Sequence, residues 1–366
     1  MPVRSPPKRD LDALLVSVSR SFYFSLRVLP AAIRPQLSVA YLVARAADTI
    51  ADGLAIPDGR RRDLLAALRR AVSGGEGATS LAALLDATPF PAASPSERAN
   101  LAALCPCLAL VEELPADDVR RTRQLLLSLL DGMERDVARF PTPPVGAPPA
   151  LPTMEALDQH LYDAAGCVGA YWARTVAAHD PAARALLHPT VIERAVHLGK
   201  ALQLVNVIRD LTSDLAVGRC YVPLPMLRRH GLTPSEIADA APDRIRPLVD
   251  ELRAMALAHV DAAWPWVGAL PARGLRLRLA CIWPLWLALG TIAKAGVIAV
   301  PLSQAGRPRV TRGALYRTLI EAALVALVSP LLERAHARRR RLAARGLPER
   351  SHIAEAPVAS AEAWRS

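Results

Sequence analysis

An all-α fold is what this sequence predicts, and three observations predict it. Apolar positions recur at helical spacing along almost the whole chain, no stretch shows a convincing strand-like alternation, and no unit repeats at a fixed period. Of the 366 residues 52% are hydrophobic but only 4% aromatic, so the apolar mass is mostly Ala, Leu and Val, which is helix-bundle material. The length suffices for a large core. One helical domain is expected over residues 11–341, between a flexible basic start, 1–10, and a flexible polar tail, 342–366.

In chain order, helically spaced apolar runs predict helices at 11–19, 34–51, 61–73, 96–114, 116–139, 154–176, 191–214, 243–264, 275–295 and 313–341. Pro and Gly punctuate them. Gly74 to Gly77 reads as a small-residue loop, and the stretch 140–152 holds six prolines. That stretch has the composition of a linker, but the patterns on its two sides are equally apolar and neither half carries a complete site. It therefore reads as a surface loop within one domain.

Lys and Arg exceed Asp and Glu by 11, so the surface favours anions: nucleic acid, an acidic membrane face or a phosphorylated substrate. No zinc-finger spacing and no basic run interleaved with aromatics is visible, which argues against nucleic acid. Five cysteines without metal-ligand spacing, Cys105, Cys107, Cys167, Cys220 and Cys281, predict a reducing, cytoplasmic setting. Cys105-Pro-Cys107 is one residue short of a redox CxxC and predicts two buried thiols. No export signal follows the basic start, and no uncharged apolar run reaches the length of a membrane span.

Chemistry concentrates in two helices. Tyr41, Arg45, Asp48 and Asp52 fall within roughly 60° of one another at about 100° per residue. They form one polar stripe on an otherwise apolar segment. A salt-bridged exposed face has the same spacing. The second cluster shifts the balance: Gln203, Asn206, Asp210 and Asp214 share a broad face, with Arg209 on its flank, in a helix whose stretch 201–210 is otherwise apolar. Two helices each bearing an aspartate pair form a carboxylate-lined cavity if they face each other. Such hard oxygen ligands suit Mg²⁺ bridged to phosphates, and Arg45 and Arg209 suit direct bonds to phosphate oxygens.

With these residues in view, the chain over roughly 14–312 resembles the head-to-head prenyl synthases, the family that includes squalene and phytoene synthases. Ser19-Arg-Ser-Phe22 resembles its opening motif, Tyr41 to Asp52 its first aspartate-rich motif and Gln203 to Asp214 its second. Gly218-Arg-Cys-Tyr-Val-Pro223 and Tyr162 with Ala165-Gly-Cys-Val-Gly169 are similar to two further stretches. The resemblance implies that Asp48, Asp52, Asp210 and Asp214 bind Mg²⁺, and that Ser19, Phe22, Arg45, Gln203, Asn206 and Arg209 bind substrate. It also places Tyr41, Tyr162 and Tyr221 around the reacting carbons. Ala51 and Gly53 stand where many relatives carry acidic residues, and His160 where they often carry Tyr.

Cys281-Ile-Trp-Pro284, with Thr291 beyond it, resembles the late helix of the squalene branch; a buried core helix has the same pattern. Arg307, Arg309 and Arg312 resemble that branch's basic segment for a nicotinamide cofactor. The resemblance thus implies coupling of two farnesyl diphosphates through a cyclopropylcarbinyl diphosphate, ended by hydride from NADPH. Proton loss or water capture instead gives dehydrosqualene, phytoene or hydroxysqualene; the other class is a non-catalytic binding or assembly factor. The basic end Arg334 to Arg341 is expected to dock on an anionic membrane face, a role that competes with simple completion of the helix dipole.

Overall fold

The computed structural model describes residues 8–18, 22–74, 77–142, 146–270 and 274–348. The chain separates into two compact units, residues 1–143 with 174–181, and residues 144–173 with 182–366. The division falls in the proline-rich stretch.

The described part of the first unit begins with α1 (Lys8–Val18), so its helix already includes the last residues of the expected flexible start. There follow α2 (Phe22–Arg27), α3 (Arg34–Ala51), α4 (Asp58–Val72), α5 (Gly77–Asp86), α6 (Pro95–Ala102), α7 (Leu104–Glu112) and α8 (Ala116–Arg139). Leu42, Ile50, Leu64, Leu68, Leu126 and Leu130 are buried where α3, α4 and α8 pack. Each contributes about 1.5–3 kcal/mol. The expected helix 96–114 is two helices, because Pro106 has no N–H for the Ala102 carbonyl and its ring crowds that carbonyl. Buried Arg61 donates to the Ala51 carbonyl at 2.7 Å and to Thr142 Oγ1 at 2.9 Å and pairs with Asp58. This fixes the end of α3, where Asp52 follows.

The second unit contains β1 (Ala150–Leu151), α9 (Met154–Leu161), a π turn (Tyr162–Gly166) and α10 (Cys167–His179), whose last residues count with the first unit. After a 3₁₀ turn (Pro181–Leu187) come α11 (Pro189–Ala216), β2 (Cys220–Pro223), α12 (Leu224–Arg229), α13 (Pro242–Ala269), α14 (Leu275–Ala295), α15 (Arg312–Val325) and α16 (Ser329–Ala343). The parallel β1–β2 pair corrects the expectation of no strand: all four β2 residues are buried, so no alternation marks them. The expected helix 313–341 is broken because Pro330 cannot bond the Ala326 carbonyl four residues back, and buried Arg278 donates to that carbonyl at 3.0 Å instead. Helix α14 is long and apolar enough to cross a bilayer, yet its most apolar window is 67% buried within the protein. The described residues of the expected flexible tail complete α16 and turn after it; residues 349–366 lie outside the described residues.

Helix α11 crosses the π turn and α10 at glycines. A Cβ on Gly169 would stand 1.9 Å from the Ala195 carbonyl oxygen, and one on Gly199 2.0 Å from that of Ala165. Such an approach is open only to glycine.

Helix α11 also packs on α13, where His197 and His259 share a hydrogen bond of 2.8 Å between their Nδ1 atoms. Burial, followed by the charge of Lys200, holds His197 below the usual imidazole range; burial and then His197 do the same to His259. His336, stacked on Trp264, is pushed down to about 4 by burial. These rings are neutral when folded but take up protons near pH ~6.5 when unfolded. The unfolded state then binds more protons, so stability is full above about pH 6.5 and falls as pH drops below it. Thermal melts across that range should show the fall, and His259→Gln should flatten it; a variant profile parallel to the parent's would remove the pair as a cause.

Candidate active site

Helix geometry alone puts Tyr41, Arg45 and Asp48 on one stripe of α3, with Asp52 at the cap that ends it, and the structure adds their partners. Arg45 pairs with Asp48 one turn on and, through Nη2 at 2.7 Å, with Glu97 of α6. The other Glu97 oxygen accepts the Ser94 N–H at 2.8 Å in a capping box that opens α6. The Arg45 site is therefore built from two helices. Burial works against its charge, but Asp48 and Glu97 outweigh that, and its pKa is raised. Arg45, Asp52, Glu97 and the turn after α3 line a pocket of about 160 Å³ walled by Ile56 and Phe90. Asp52 is exposed, and the Asp48 side chain is 44% exposed. Tyr41 is half-buried, its hydroxyl donating to the Val18 carbonyl at 3.5 Å. A Cβ on Gly53 would meet Ile56 Cδ1 at 2.7 Å, so an acidic residue there requires Ile56 to move.

In the second unit, Arg209 Nε donates to both Asp210 carboxylate oxygens at 3.1 Å, and Arg307 approaches the same carboxylate at 3.5 Å. Asp214 is half-buried on the last turn of α11. Its carbonyl accepts the Arg219 N–H at 2.8 Å as Gly218, at φ 80°, ends the helix. That left-handed turn explains the Gly218-Arg219 pair and directs Tyr221 into β2. Asn206 donates to Gln203 Oε1 and Gln203 Nε2 lies 3.2 Å from His160 Nε2, whose ring stacks on Tyr221 at 4.2 Å. In this arrangement the Gln203 amide donates and the imidazole accepts. Tyr162 is half-buried in the π turn.

Ser19 lies outside the described residues, as does the side chain of Phe22. Thr291 is buried and spends its hydroxyl on the Leu287 carbonyl, so α14 serves the core here. Of the arginines expected at a nicotinamide cofactor, Arg307 lines a pocket with Arg209 and Lys294, whereas Arg309 and Arg312 are exposed outside that lining. Lys294 is held by the Arg309 carbonyl at 2.5 Å. The pocket holds about 100 Å³, against roughly 300–1,000 Å³ for sites of drug-sized ligands. Its cationic side chains, Arg209, Lys294 and Arg307, suit an anionic group such as phosphate. Cys107 is buried with its thiol pushed up to about 12, while Cys105 is partly exposed, so only one of that pair is fully buried as expected.

Mg²⁺ fits the carboxylate donors. Each stripe offers two carboxylates about one turn apart, none of them fully buried, and a hydrated Mg²⁺ takes one or two carboxylates and completes its shell with water and phosphate. Among the described residues no group of three or more His, Cys, Asp or Glu gathers at one point. Sequence reading missed Glu97 and Lys294. The Ser94-to-Glu97 spacing is a capping signature that could have flagged Glu97 as part of a helix start, but nothing local marks it as the partner of Arg45.

Residues 15–313 match the family described as squalene/phytoene synthase. The chain is 29% identical over 247 residues to the presqualene diphosphate synthase of Zymomonas mobilis subsp. mobilis, covering 67% of this chain and 70% of that protein. It is 31% identical over 176 residues to the phytoene synthase of Pseudescherichia vulneris, covering 48% of this chain and half of that protein. In structure it resembles TcSQS in complex with a ligand, at a TM-score of 0.71 and 20% identity, over 92% of this chain and 91% of that one.

Proposed function

The chain belongs to the squalene/phytoene synthase family, and from that membership we propose that it joins two farnesyl diphosphates head to head to form presqualene diphosphate. The observation that carries this reading is the pair of aspartate stripes, each with an arginine already on a carboxylate: Arg45 on Asp48 and Arg209 on Asp210. Asp48 and Asp52, and Asp210 and Asp214, would hold Mg²⁺, which supplies Lewis-acid charge to the departing diphosphate. Arg45 and Arg209 bring planar donors to phosphate oxygens once those oxygens compete for them. Gln203 and Asn206 orient the same groups through their amides. Tyr221, packed on His160, presents a ring that tolerates positive charge near carbon, and Tyr41 and Tyr162 take the same part.

Reduction to squalene by NADPH is the finer form of the proposal. Arg307, beside Arg209 and Lys294 in their pocket, would offer cationic donors to the cofactor's phosphates, and Arg309 and Arg312 are exposed on the same segment. The partner that suits a product carrying two long prenyl chains is a membrane, and we propose the cytoplasmic membrane face as the protein's location.

The test incubates purified protein with farnesyl diphosphate and Mg²⁺, with and without NADPH, and identifies products by mass spectrometry. Presqualene diphosphate without NADPH supports the proposal, and squalene only with NADPH supports its finer form. Chelation of the metal should stop turnover and added Mg²⁺ restore it. An unreduced polyene points to the phytoene or dehydrosqualene type, an alcohol to the hydroxysqualene type. No coupling of either farnesyl or geranylgeranyl diphosphate overturns the proposal in favour of a binding or assembly factor.

A further inference from the structure

The basic end of α16 is largely engaged within the protein. Arg338 and Arg339 pair with Glu321, and Arg340 holds Asp261 through two bonds of 2.8 Å. The unpartnered surface lies just before it. Tyr316, Ile320, Leu324, Leu327, Val328 and Leu331 are 45–73% exposed, and they are six of the eleven large apolar side chains exposed among the described residues. All six fall within sixteen residues.

On α15 they follow helical spacing. Tyr316, Ile320 and Leu324 make one stripe, while Thr318 and Ala322 face the interior, so the helix is apolar on its outer side too. A helix of that kind is covered by something apolar. The break at Pro330 keeps Leu327, Val328 and Leu331 exposed beyond the end of the stripe.

Charge selects the cover. Residues 312–345 contain eight arginines and two glutamates. Of the glutamates, Glu321 is taken by Arg338 and Arg339, and Glu333 accepts the Trp264 indole N–H at 2.8 Å. Exposed Arg312 and Arg317 stand in the first turns of α15, and exposed Arg334 lies one turn after Leu331. A second copy would bring like charge against like charge at these edges, whereas an anionic lipid surface offers an apolar layer beneath a negative one.

We propose that this ridge, and not the basic end of α16, inserts into the headgroup boundary of an anionic bilayer. For the choice of a lipid partner the proposal rests on the long-chain prenyl product proposed above. The exposed tyrosine suits the headgroup level.

The test floats the full chain with vesicles of phosphatidylcholine alone and with an equimolar mixture of phosphatidylcholine and phosphatidylglycerol. Ile320→Glu/Leu324→Glu places charge on the outer side of α15, and Leu187→Glu, at an exposed apolar residue of the 3₁₀ turn, is the control. The parent and the control should float with the anionic vesicles, less so in high salt, and the double variant should bind about tenfold less or weaker. The double variant should also keep the parent's rate of prenyl diphosphate coupling in detergent. A parent that does not float, a double variant that floats as the parent does, or a parent dimer that the double variant abolishes in the absence of vesicle binding would each overturn the proposal. If flotation behaves as expected while no protein couples prenyl diphosphates, the surface stands and the proposed reaction falls.

Discussion

Asp48→Ala, and separately Asp210→Ala, should lower the rate of prenyl coupling by about a thousandfold or more while leaving the melting temperature nearly unchanged. Metal-borne stabilisation of a leaving diphosphate is worth several kcal/mol, and each ~1.4 kcal/mol is a factor of ten in rate. The stability side follows from exposure. The Arg45–Asp48 side chains are 28% and 44% exposed and the Arg209–Asp210 pair 35% and 21%, so each pair contributes only about 1 kcal/mol or less. The expected pattern is a large loss of kcat with a small change in the melt. Raising Mg²⁺ should recover part of the rate if the remaining aspartate of each stripe, Asp52 or Asp214, still binds metal. Activity within tenfold of the parent in both variants would remove the aspartates from the proposed chemistry.

Gly199→Ala should have the opposite signature, a loss of folding. Alanine in place of glycine inside a helix gains up to about 1 kcal/mol from the backbone. At Gly199 the new methyl would stand 2.0 Å from the Ala165 carbonyl oxygen, which α11 and the π turn can relieve only by moving apart. Overpacking of that sort costs about 1–3 kcal/mol, occasionally more, and here the obstacle is backbone. A net loss of about 2 kcal/mol corresponds to a melting point lower by roughly 4–8 °C in a unit of this size. Gly268→Ala supplies the contrast: nothing lies within 4 Å of its Cβ in α13, so a neutral or slightly raised melting point is expected. Equal melts for the two variants would mean that the close crossing of α11 over the π turn does not limit stability.

Much of the helical plan was legible before the fold was known. The expected bounds 34–51, 116–139 and 275–295 are those of α3, α8 and α14, since long apolar runs between clear breakers leave little choice. The errors share a cause as well. The apolar periodicity of 96–114 and 313–341 continues past Pro106 and Pro330, so period alone joined helices that a single missing N–H divides. Short elements such as α2, α12 and the two strands carry too few residues for any period to register.

The sequence by itself determined what depends on spacing along one helix: the all-α class, the stripe of Tyr41, Arg45, Asp48 and Asp52, and the aspartate pair of α11. Rotation per residue is a local property, and eighteen or more helical residues fix which side chains share a face. Tertiary structure decided which partners those faces meet. Glu97 reaches Arg45 across 52 residues of chain, Arg307 reaches Asp210 from a loop, and His160 links Gln203 to the ring of Tyr221. Packing also decided that Arg338 to Arg340 pair with carboxylates of neighbouring helices while the aliphatic side of α15 turns outward. Contacts of that kind follow from which helices bury their apolar faces against each other, and no spacing within a single segment encodes them.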